Sequence, residues 1–203
     1  MNYCLIHKDD PCFPLLEGCI GVIQLQMRNL TEWLHQSNRP RSSVAASVVL
    51  PTSDEIKLQI PSVVTTGWHR QDLITLTETL VRIRRSMDVL AHRLEALELY
   101  LDDLDLALPM ELLEKAVDKV SQLVSQLRDV TDLTTYQVLT NSLVEVRGAM
   151  DKARDEMTAT ETGSAKGPLK EIARQELLKA FDDAIESCEQ AGHHIYKLAL
   201  SFY

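Results

Sequence analysis

Between Leu73 and Leu108 an apolar side chain returns every three, then four residues without a gap: Leu73, Leu76, Leu80, Ile83, Met87, Leu90, Leu94, Leu97, Leu101, Leu104 and Leu108. This spacing puts every one of them on a single stripe of an α-helix, and other helices must cover such a stripe. Read as one element, the run predicts a helix that starts between Trp68 and Asp72 and ends before Pro109. Its length would be about 57 Å at 1.5 Å per residue. The flanking heptad positions, among them Thr77, Thr79, Ser86, Ala91 and Ala107, are mostly small or neutral. A two-stranded coiled coil usually fills them with Glu and Lys. The stripe therefore predicts one wall of a multi-helix core.

Three further segments carry stripes of the same period. A first helix is expected from Leu15 to about Gln36, burying Leu16, Ile20, Val22 or Ile23, Met27, Leu30 and Leu34. Gly18 and Gly21 weaken it, and close approach of a neighbouring helix would explain them. A third segment runs from Met110 towards Thr158, and its phase slips at Asp129-Val130-Thr131-Asp132. A kink or break is expected there, with Thr131 or Asp132 able to cap a new helix. The last helix is expected from about Leu169 to Phe202, with Leu177, Phe181, Ala184, Cys188, Ala191, Ile195, Leu198 and Phe202 inside. The fold class is thus all-α: an antiparallel bundle of about four long helices with coiled-coil-like packing. It reads as a single domain over 1–203, with an irregular arm at 1–13, a crossover at 37–69 and a loop at 159–168. Within the crossover, 44–60 reads either as a small β-hairpin or as an unpaired extended segment.

The formal net charge is −9. An excess of carboxylates disfavours nucleic-acid and anionic-membrane partners, which select for Lys and Arg. No apolar stretch approaches the roughly 20 residues that span a bilayer. The Met1 start lacks the basic and apolar pattern of a secretory signal, which points to a cytoplasmic location.

Few side chains suggest chemistry. Cys4, His7, Cys12 and Cys19 have zinc-ligand identities, and Cys4-x-x-His7 has a chelating spacing. The same cysteines also read as buried thiols. His193 and His194 are adjacent, so they point about 100° apart on a helix and suit one metal poorly. Arg85 and His92, with six residues between them, resemble the Arg-x(4–6)-His catalytic motif of the higher eukaryotic and prokaryotic nucleotide-binding (HEPN) ribonucleases, which are also helical bundles. The resemblance implies RNA cleavage at a dimer interface with those two residues in the catalytic roles. Read simply as residues, they are charges on a solvated face. On the long helix as predicted, Arg85, His92, Leu99 and Leu106 fall at successive positions opposite the stripe, a row suited to a partner. The basic middle of that helix (Arg82, Arg84, Arg85, Arg93) and its acidic end (Glu95, Glu98, Asp102, Asp103, Asp105) would complement each other in a homodimer.

No phosphate loop, nucleophile elbow or zinc-helix motif is present, and the stripes are almost wholly apolar, so no cofactor is expected. The expected function is a non-catalytic protein-interaction or scaffolding module that binds a protein partner or itself. The HEPN-like ribonuclease is the alternative.

Overall fold

The computed structural model describes residues 12–35, 70–97, 105–128, 130, 132–159 and 168–202. It is all-helical, with five helices and no strand among the described residues. They are α1 (Cys12–His35), α2 (Arg70–Ala96), α3 (Ala107–Gln126), α4 (Leu133–Ala159) and α5 (Pro168–Phe202). The hairpin reading of 44–60 falls outside the described residues, as does most of the 159–168 loop.

The first part of the long stripe is core. Leu76, Leu80, Ile83, Met87, Leu90 and Leu94 are all 0% exposed. The helix ends earlier than the heptads suggest, at Ala96, and Leu108 belongs to α3, where it is exposed. The acidic residues give the physical reason. A helix continued to Leu108 would set Asp105 at the negative end of its dipole. Instead Asp105 stands before α3, and its Oδ1 accepts the Ala107 N–H at 3.1 Å. Pro109 follows inside the first turn of α3, where a missing N–H costs no intrahelical bond.

The segment after Pro109 is two helices. The phase slip marks the break, and Asp132 makes the new start. Its carboxylate accepts the Thr134 N–H at 2.8 Å and the Thr135 hydroxyl at 3.1 Å. These hydrogen bonds, the Thr134 backbone bond foremost, hold the Asp132 carboxyl below the ordinary aspartate range. α1 also departs from expectation at its start. It begins at Cys12, and Cys12 and Phe13 are buried in the core rather than lying in an irregular arm. Pro14 is tolerated because it occupies the first turn.

α1, α2, α5 and α3 pack in a closed ring, each against the next, and α4 lies against α3 and α5. α5 and α3 each touch three helices, and the pairing of α5 with α2 is the most extensive. The cross-helix contacts give relative directions. Thr79, Arg82, Ser86 and Arg93 of α2 meet His194, Gln190, Ser187 and Glu176 of α5 in turn, so these two run antiparallel. Arg147 and Arg154 of α4 both reach Asp182, Arg147 nears Glu186, and the Met157 carbonyl accepts from Arg174. α4 and α5 are therefore antiparallel as well. α1 and α3 are antiparallel by Glu17–Arg128 and Gln24–Ser121.

The glycines divide by place. A Cβ at Gly192 of α5 would run into Leu143 of α4 and meet Leu123 of α3, so the missing side chain permits a close three-helix junction. Gly18 and Gly21 are different: a Cβ at either meets nothing within 4 Å. Close packing does not account for them.

Candidate functional site

Among the described residues, α2 packs chiefly on α1 and α5, and its outer face lies away from both. Glu78, Arg82, Arg85, Val89, His92 and Ala96 are exposed along it at spacings of three and four. Arg85 and His92 sit on this row two helical turns apart, about 10.5 Å by helix rise. Arg82 donates to Gln190 Oε1 at 2.7 Å. His92 Nδ1 lies 3.8 Å from Glu95 Oε2, an ion pair only when the ring is protonated. Leu106 does not extend the row. It precedes α3 and is 3% exposed, because the helix that would have carried it outward ends at Ala96. Leu99 lies outside the described residues.

The cysteines Cys12 and Cys19 are both buried on α1. Seven residues of helix separate them by about 10.5 Å of rise. Two thiolates on one zinc, each at about 2.3 Å, must approach far closer than that. Burial also pushes the Cys19 thiol up to about 11. Cys12 and Cys19 are thus core thiols and cannot share a metal, while Cys4 and His7 lie outside the described residues. Among the described residues no group of three or more His, Cys, Asp or Glu could hold a metal ion. Cys188 is likewise interior, its thiol raised to about 12 by burial.

His193 and His194 part company. His193 Nε2 lies 3.5 Å from Glu189 Oε1 on the exposed side of α5. His194 faces α2, with Nδ1 3.3 Å from Thr79 Oγ1. Beside it a cleft of about 280 Å³ opens between the first turns of α2 and the last turns of α5. Leu76 and Leu198 are its apolar side chains, while Asp72, Thr75, His194, Lys197 and Ser201 supply the polar ones. The heptad pattern hides this cleft, since its residues come from two helix ends 120 positions apart in the chain.

A second cluster was also invisible in sequence. Asp182 is buried on α5 between two guanidinium groups. Arg147 Nη1 donates to the Asp182 carbonyl at 2.9 Å and stands 3.0 Å from Oδ1. Arg154 donates to Oδ2 at 2.9 Å and also to Asp151. Burial pushes the Asp182 carboxyl up, with Arg147 and Arg154 pulling it down. Arg174, 3% exposed, binds Glu171 at 2.8 Å and the Met157 carbonyl. These groups join α4 to α5. Their arginines pair with carboxylates and carbonyls of the chain itself, which suits structure better than catalysis.

No helix among the described residues is long and apolar enough to cross a membrane. No family model, curated protein or solved structure matches the chain.

Proposed function

We propose that the chain is a non-catalytic protein-interaction or scaffolding module in which the bundle interior supplies stability and the outer row of α2 meets a protein partner. The observation that carries this reading is the division of α2 into two faces. Its inner stripe is fully buried and apolar, while Arg85, Val89 and His92 stand exposed on a face that no other described helix covers. A second copy of the chain is one such partner, and light scattering across a concentration series tests for it.

The test places a photo-crosslinking residue at position 89 of the full chain in its native cells. One discrete adduct, lost in Arg85→Glu/His92→Glu, supports the reading. An adduct unchanged by that double substitution, or obtained equally from position 145 on α4, contradicts it.

The second reading is a ribonuclease acting through Arg85 and His92. It draws on their shared exposure on one face of α2. Cleavage of single-stranded RNA by the purified chain, abolished by His92→Ala, would replace the first reading with this one.

A further inference from the structure

The cleft between the start of α2 and the end of α5 is rich in hydrogen-bond acceptors. Its hydroxyl protons are already committed. Thr75 Oγ1 donates to the Gln71 carbonyl at 2.9 Å, and Ser201 Oγ donates to the Leu198 carbonyl at 2.7 Å. Behind the cleft, Thr79 Oγ1 donates to the Thr75 carbonyl at 2.7 Å. A hydroxyl has one proton, so the contact between Thr79 and His194 requires His194 Nδ1–H to be the donor. In the neutral ring the other nitrogen, Nε2, is then an acceptor. Asp72 adds a carboxylate that forms no ion pair with another described residue. The lining side chains thus offer lone pairs from Thr75, Ser201, His194 and Asp72 and only one donor, Lys197, which is exposed.

Such a site selects a ligand that brings its own N–H groups. Of its apolar side chains, Leu76 is fully covered and Leu198 keeps the surface an alkyl stem would meet. We propose that this α2–α5 cleft binds an aliphatic cation, an alkylammonium or alkylguanidinium, with Asp72 as its counter-ion and the stem against Leu198. The chain's −9 charge favours the approach of such a ligand. The inference goes beyond the α2 outer row and does not depend on it.

The test titrates the full chain with butylguanidinium chloride and follows the His194 ring resonances by NMR, assigned against His194→Gln. Saturable shifts are expected. Asp72→Asn should weaken binding about tenfold, as loss of a charged hydrogen-bond partner does. Lys197→Gln should strengthen it. Circular dichroism of both variants checks that the helices are intact. Butanol, with the stem and no charge, should not saturate the site. Two further probes separate the sources of the cation. Tighter binding of N-acetyl-arginine amide than of putrescine supports the site and assigns it to a protein side chain. The reverse order supports the site and assigns it to a free amine. A butyrate response equal to that of butylguanidinium, no saturation by either cation, or an unchanged affinity in Asp72→Asn overturns the proposal.

Discussion

α2 and α5 lie side by side and antiparallel, yet they are built on different plans. α2 concentrates its large apolar residues on one stripe and leaves the opposite face to Arg85, Val89 and His92. α5 is buried on several sides, because it touches α2, α3 and α4. Much of its buried surface is small: Ala173, Ala180, Ala184, Ala191, Gly192 and Ala199. Leucines fill a space between helices, whereas alanine and glycine let backbones come close. The difference teaches that the helix with the most regular heptads is a wall, while the helix with smaller residues is the centre.

Several substitutions would break or sharpen this contrast. The largest effect is expected from truncating the centre. Phe181→Ala, at a side chain 0% exposed, should cost about 3–5 kcal/mol in urea denaturation, as large-to-small core changes do. Gly192→Ala should come next, about 1–3 kcal/mol, because Leu143 must move within a packed junction. A neutral result there would mean that α5 does not depend on close approach.

Gly18→Ala and Gly21→Ala on α1 carry the opposite sign. With open space around both positions, each should stabilise by about 0.5–1 kcal/mol through helix propensity. On the outer face of α2, Arg85→Glu should change stability by no more than about 0.5 kcal/mol, as surface changes away from special features do. A larger loss would show that the row serves folding.

The cap of α4 adds a pH dependence. The Asp132 carboxyl lies below its ordinary range in the fold, so its stabilisation is fully present above the ordinary aspartate value. It is lost as the pH falls through the lowered folded value. Asp132→Ala should therefore depress the melting temperature at neutral pH, and its gap from the parent protein should close in strong acid.

Much of this fold was legible because helical burial has a period. The stripe from Leu73 to Leu94, the break before Leu133 and the interior of α5 all follow from spacing. Asp132 was legible as a cap because it stood at the phase slip. The end of α2 was not, since Leu101, Leu104 and Leu108 keep the phase regardless of whether the helix continues. The carboxylates from Glu95 to Asp105 were the better signal, as they oppose a helix C-terminus. That misplacement carried Leu106 onto an outer row when it belongs to the core. Asp182 and Arg174 were missed because charge in sequence reads as surface, and only tertiary pairing makes its burial tolerable. The cleft at Asp72 and His194 was missed because it exists only once two distant helix ends meet.

The central claim is that α5, rather than α2, holds the bundle together. Native-state hydrogen exchange of the full chain at neutral pH tests it most directly. Amides of α5 between residues 177 and 199 should be the slowest to exchange, opening only with global unfolding, with α2 frayed towards Ala96. If amides of α2 from 76 to 94 stay protected after those of α5 have exchanged, the account of α5 as the centre is wrong.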